Sequence, residues 1–391
     1  MAKLIDITGK AISGEWGNDD DAGTGIPVLR TTNFTNDGVI NYNNVVTRVV
    51  RKKDLSQKFL QPGDIILEKS GGSDKQPVGR VVFYDGEPNK FLFNNFTGVL
   101  RVRDKAVWYP RYVFYALYGN YAKGGTRRYE NKTTGLHNLK TDQYVQDFAI
   151  QEQSMEYQQK VVSKLDKLTE LIALRKEQLA KLDQLVKSRF IELFGGADYP
   201  KVLFENVCVF LRNGASIKQT KGAGGYPITR IETLSNDVFN IDRLGYADIT
   251  DLEKYQSYVL HNGDILISHI NSVTYLGRAV QYRGQLDTPI IHGMNLLCAR
   301  IADSYNPTYI EWFFKTPMAK EYISTITKKA VNQASITTSD LKKMQVPNPP
   351  KNLQDQFAAF VEQTDKSKLV IQQSLDKLET LKKSLMQEYF G

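Results

Sequence analysis

Val161-Val162-Ser163-Lys164-Leu165-Asp166-Lys167-Leu168-Thr169-Glu170-Leu171-Ile172 opens the stretch on which the fold is read. Alternate steps of four and three from Val161 reach Leu165, Leu168, Ile172, Arg175, Leu179, Leu182, Val186, Arg189 and Leu193. This spacing keeps one stripe of a helix turned toward a partner helix, and it predicts a long helix over 153–195. The end of the chain repeats it through Phe357, Val361, Thr364, Lys368, Ile371, Leu375, Leu378, Lys382, Leu385 and Tyr389, predicting a second long helix over 352–391. Both runs finish on Phe-Gly, at Phe194-Gly195 and Phe390-Gly391. The chain reads as a tandem duplication, a globular head followed by a long helix, twice over.

Helices of roughly 35 to 40 residues are ~50 to 60 Å long and need another long helix to cover their apolar stripe. An isolated run would favour a homodimer. Two matched helices in one chain, with charged seam positions such as Arg175 and Lys368, favour an intramolecular antiparallel coiled coil. Its seam is expected to hold Leu165, Leu168, Ile172, Leu179, Leu182 and Val186 against Ile371, Leu375, Leu378 and Leu385.

The heads, over 1–152 and 196–351, share landmarks at a nearly constant offset. Gly25-Ile26-Pro27-Val28-Leu29-Arg30 returns as Gly225-Tyr226-Pro227-Ile228-Thr229-Arg230. Pro62-Gly63-Asp64-Ile65-Ile66-Leu67 returns as Asn262-Gly263-Asp264-Ile265-Leu266-Ile267, and Val78-Gly79-Arg80 as Leu276-Gly277-Arg278. Three matches in the same order establish an internal repeat. The apolar runs are short, β-rich and bounded by turn residues, with helical stretches at about 110–117 and 307–314, so each head reads as α+β. Pro347, Pro349 and Pro350 end the second head, with Asn352 expected to cap the helix after them.

The 391 residues leave room for two domains with their own cores. A formal net charge of +8 permits a polyanionic partner. Cys208 and Cys298 lie in apolar runs without a Cys-x-x-Cys pair and read as buried thiols. The N-terminal sequence lacks the apolar core of a signal peptide and no run reaches the ~20 apolar residues of a membrane span, so a cytoplasmic protein without membrane association is expected.

No catalytic or metal-binding constellation emerges. The four histidines lack metal-ligand spacing. Asn348-Pro349-Pro350-Lys351 has lysine where a base-stacking loop needs an aromatic, and the Asp21–Gly25 loop precedes a strand where a phosphate loop would open a helix. The basic side chains carry more. Arg51, Lys52 and Lys53 form one run; Arg127, Arg128 and Lys132 lie in a glycine-rich loop; Lys328, Lys329, Asn332 and Gln333 stand at the matching place of the second head. Lys and Arg neutralise phosphates, and Arg, Asn and Gln pair with base edges, which makes these residues and the recurring Arg30 and Arg230 candidate DNA contacts.

In this order and in duplicate, the Gly-x-Pro-x-x-Arg and Gly-Asp-Ile segments and the proline-rich helix entry resemble the specificity subunits of type I restriction–modification systems. The resemblance covers the whole chain, although the first helix entry lacks the prolines. It implies two target recognition domains, each reading one half of a split, asymmetric target in double-stranded DNA. It also implies a non-catalytic chain whose helices dock two modification subunits, with restriction subunits joining the complex. S-adenosylmethionine, ATP and Mg belong to those partners. The helix pair then acts as a spacer, and a heptad inserted in both helices is expected to lengthen the unread gap. Two other readings share part of the pattern: the recognition chain of a type II-like methyltransferase/nuclease, and a coiled-coil scaffold with two adaptor heads.

Overall fold

The structure is a computed structural model that describes residues 1–52, 54–133, 136–196, 198–220, 224–330 and 333–391, with backbone alone at 132 and 133. Both long helices form, over Met155–Phe194 and Lys351–Phe390, 40 residues each. Ser154 Oγ accepts the Tyr157 N–H at 3.2 Å and so caps the first, and Gly195 ends it. The second starts one residue earlier than its expected cap, so Asn352 lies inside the first turn, and the Pro350 carbonyl accepts the N–H groups of Leu353 and Gln354.

The chain divides into two compact units, Met1–Lys176 with Gln373–Gly391, and Glu177–Gln372. This division differs from the head and helix limits read from the sequence, because each head closes its core with segments of both long helices. In the first unit, Val161, Val162 and Leu165 from the first helix and Met386 from the second join the core of Leu4, Ile65, Leu67, Tyr112 and Tyr144. In the second, Val186 and Phe190 meet Phe357 and Val361 around Ile265, Ile267, Tyr309 and Phe313. A fully buried leucine such as Leu165 contributes about 1.5–3 kcal/mol, so these helix segments are integral to each core.

Within each unit the helix segments run antiparallel. In the first, Tyr157 and Tyr389 rings lie 6.5 Å apart and Lys176 meets Glu379 at 3.3 Å. In the second, Phe190 and Phe357 rings lie 5.3 Å apart and Lys368 meets Asp183 at 2.5 Å. Leu165, Leu168, Ile172, Val186 and Leu375 are buried; Leu179, Leu182, Ile371, Leu378 and Leu385 are half-buried.

The two heads share one construction. A four-stranded antiparallel sheet has the order Ile12–Ser13, Thr97–Leu100, Asp64–Glu68, Val81–Tyr84 in the first and Cys208–Asn213, Leu296–Ile301, Ile265–Ser268, Ala279–Gln281 in the second. The helix after it is Pro110–Ala122 in the first head. In the second it breaks into Pro307–Phe313 and Pro317–Ile326, since Pro317 starts a new first turn after Thr316.

Candidate nucleic-acid interface

The recurring motifs are internal anchors. Gly63 and Gly263 take φ of +98° and +96°, turning the chain so that Asp64 and Asp264 enter the sheet buried. Each aspartate accepts two bonds from an arginine of the neighbouring chain segment, Arg101 just past the end of Thr97–Leu100 at 2.7 and 2.7 Å and Arg300 within Leu296–Ile301 at 2.8 and 2.8 Å. Each also accepts a turn N–H, from Gln61 or His261, at 2.8 Å. Carboxylate contact holds both guanidiniums above their usual pKa. Arg80 donates to the Phe34 and Thr31 carbonyls and Arg278 to that of Leu234, tying the third motif to the loop after the first.

Two glutamines fasten the heads to the long helices. Gln158, buried, accepts the Tyr109 N–H at 2.8 Å and donates to the Val107 and Gln153 carbonyls at 2.9 Å each. Gln354 does the same in the second unit, accepting from Asn306 at 2.9 Å and donating to Pro349 at 2.8 Å.

The candidate DNA contacts fall into distinct groups. Arg30 and Arg230 follow the matching strands Ile26–Leu29 and Tyr226–Ile228, each just before a short helical turn, and are half-buried. Their N–H groups bond to Asn33 Oδ1 and Thr233 Oγ1, and their guanidiniums to the Asn44 carbonyl and Gln219 Oε1. Both position the adjacent loop. Lys52 is engaged by Glu15 at 2.6 Å, the same carboxylate that binds Lys58, while Arg51 is exposed. Lys53 and Asn332 lie outside the described residues, and Lys132 is described by its backbone.

The remaining cations cluster on a small three-stranded sheet present in both heads. In the first, Glu130–Thr133, Leu136–Leu139 and Ser70–Gly72 pair in that order; in the second, Lys328–Lys329, Ala334–Ser335 and Ile270–Asn271 do so. Arg127 and Arg128 are exposed in the turn entering this sheet, Arg128 lying 4.7 Å over the Tyr129 ring. Lys329 and Gln333 are exposed, and Lys328 sits 4.0 Å from Asp340. The backbone register changes one equivalence. Leu139 and Ile336 donate to the carbonyls of Lys69 and His269, so Asn131–Lys132 stand where Lys328–Lys329 stand, four residues on from Arg127–Arg128. A longer turn in the first head hides this shift from sequence comparison.

A cleft of about 600 Å³ beside Arg127 is lined by Asn36, Lys75, Gln76 and Lys123, with no carboxylate among the described residues of its wall. Sequence reading missed Lys75 and Lys123, because they come from separate segments that only folding brings together. Burial also pulls the Lys69 ammonium, at the edge of the same sheet, below the usual lysine range. Cys298 is buried and Cys208 half-buried, and burial pushes the Cys208 thiol up to about 12. Among the described residues no group of three or more His, Cys, Asp or Glu is arranged to hold a metal, and no helix is long and apolar enough to cross a membrane.

The comparisons with known proteins fit this two-headed construction. The family described as type I restriction modification DNA specificity domain matches residues 2–184 and again 201–380. A Methanocaldococcus jannaschii protein named as the MjaX type I restriction enzyme specificity subunit is 36% identical over 187 residues, 48% of this chain and 44% of the relative. The chain thus matches less than half of that relative's length. The EcoKI specificity subunit of Escherichia coli K12 is 24% identical over 400 residues, 93% of this chain and 82% of the relative. Among solved structures, the S subunit of a type I restriction–modification system from M. genitalium superposes with a TM-score of 0.61 at 14% identity, covering 100% of this chain and 95% of that one. A chain from a study of assembly and conformational transition of the type I R-M system gives 0.56 at 16% identity, covering 100% and 96%. At such identities the likeness is one of fold.

Proposed function

The chain belongs to the family of type I restriction modification DNA specificity domains, and from that premise we propose that it is the sequence-reading subunit of a type I restriction–modification complex. One head reads each half of a bipartite, asymmetric target in duplex DNA. The observation that carries this reading is the repeated scaffold: two heads with the same strand order and the same buried Asp–Arg anchor present different exposed side chains. A common frame with unlike surface residues suits the recognition of two unlike half-sites. Arg51, Lys53, Arg127, Arg128 and Lys132 in the first head, and Lys328, Lys329, Asn332 and Gln333 in the second, supply phosphate and base contacts; Lys52 is paired with Glu15, and Arg30 and Arg230 hold their loops in place.

Adenine methylation with S-adenosylmethionine falls to two modification subunits, and ATP- and Mg-dependent translocation and cleavage to restriction subunits. Docking of partners on the long helices is supported by apolar side chains off the seam: Leu174 and Leu381 in the first unit, Leu185, Leu369 and Val370 in the second, all exposed.

The test is genome-wide adenine methylation in cells carrying this chain with the modification subunit of its system, against cells lacking the chain. A split motif that depends on the chain is expected. No new methylation, with a modification subunit active alongside another specificity chain, refutes the reading.

A further inference from the structure

A feature of both heads outside the basic residues is the tight turn before the central strand of the large sheet. In the first head Thr97 donates its N–H to the Asn94 carbonyl at 3.0 Å; in the second Leu296 donates to that of Gly293 at 3.1 Å. The residues flanking each tip are buried, whereas the central pair is exposed: Asn95–Phe96 in one, Met294–Asn295 in the other. Phe96 and Met294 are each 51% exposed. Turn tips favour Gly, Asn, Asp and Ser, which meet the backbone's needs without exposing apolar surface. A phenylalanine and a methionine there serve no purpose of the turn.

The topology sets each tip beside the cation-bearing sheet. The Phe96 carbonyl accepts the N–H groups of Lys69 and Ser70 at 2.8 and 3.2 Å, and Ser70 begins the strand paired with Leu136–Leu139. In the second head Leu296 pairs with Ser268, and two residues later Ile270–Asn271 pairs with Ala334–Ser335, the neighbour of Lys328–Lys329. At the same end of each head, then, stand cations suited to phosphates and a two-residue tip carrying one amide and one large apolar side chain. The order within the pair is reversed between heads.

Resting on the DNA-reading function above, we propose that Asn95–Phe96 and Met294–Asn295 are base-contacting tips, one for each half-site. The amide pairs with an adenine edge, and the apolar side chain packs against base faces or thymine methyls in the groove, while the neighbouring cations hold the backbone. Reversal of the pair contributes to the difference between the half-sites.

The experiment selects bound sequences from a random duplex pool with the full chain assembled with its modification subunits, as wild type and as N95A, F96A, M294A and N295A. The expected result is that N95A and F96A relax base positions in one half-site and M294A and N295A in the other, each lowering affinity for the wild-type target about tenfold. Relaxation confined to one half is a pattern that a folding defect, which weakens binding to the whole target, does not produce. Variants that select the wild-type motif, with unchanged or uniformly reduced affinity, overturn the proposal. A wild-type complex that selects no split motif overturns the DNA-reading function itself, so the two failures are distinguishable.

Discussion

Replacing Gln158 by leucine tests whether the buried glutamine fastens the first head to the long helix. The substitution keeps the volume and removes three hydrogen bonds, stranding the Tyr109 N–H and leaving the Val107 and Gln153 carbonyls without that donor. An unpaired buried group costs ~1–3 kcal/mol, less where a carbonyl retains its other lone pair, so the loss totals about 3–5 kcal/mol. At ~2–4 °C per kcal/mol for a unit of this size, the melting temperature of the first unit falls on the order of 10 °C. Calorimetry reads the shift, and hydrogen exchange at the Tyr109 amide gives a local signal, since that N–H loses its acceptor. Gln159, next in the chain and exposed, is the control: Q159A changes stability by less than about 0.5 kcal/mol. A Q158L shift no larger than that of Q159A, with unchanged exchange at Tyr109, refutes the clamp. Q354L, which removes two such bonds, is expected to cost about 2–4 kcal/mol.

D64A leaves the half-buried Arg101 without its carboxylate and is expected to cost about 3–5 kcal/mol by urea unfolding; a change under 1 kcal/mol contradicts the anchor role. K328A and K329A should lower affinity for all duplexes alike and reduce the salt slope by about 1 each, and a change of preferred motif would instead make them base readers. Burial depresses His269 below the ordinary 6.5, and it depresses His292 as well, outweighing the opposing, raising effect of the Tyr258 and Asn213 carbonyls. The unfolded chain therefore binds more protons as pH falls, so the stability these neutral rings contribute is present above about pH 6.5 and lost as pH drops through their folded values. Acid unfolding of the H269Q/H292Q variant as steep as that of wild type would refute their part in it.

Long helices, duplication and recurring motifs were legible because each is a local pattern. A 4–3 alternation needs no knowledge of what lies opposite, and Gly63-Asp64 and Gly263-Asp264 recur because the same turn and the same buried carboxylate are needed twice. The basic segments were legible as composition, whereas their availability was not: Lys52 is held by Glu15, and Arg30 and Arg230 are bonded into their own heads.

The sequence by itself determined that this chain has two α+β heads, each followed by a long helix, and it located the cation-rich segments. Tertiary structure decided which surfaces those heads complete and present. Met386 closes a core begun by Leu4, the strand register makes Lys328–Lys329 of one head the equivalent of Asn131–Lys132 in the other, and Gln158 and Gln354 bind backbone far along the chain. The physical reason is range. Helical periodicity and turn chemistry are written in neighbouring residues, whereas core closure, register and the pairing of charges depend on residues that meet only after the chain has folded.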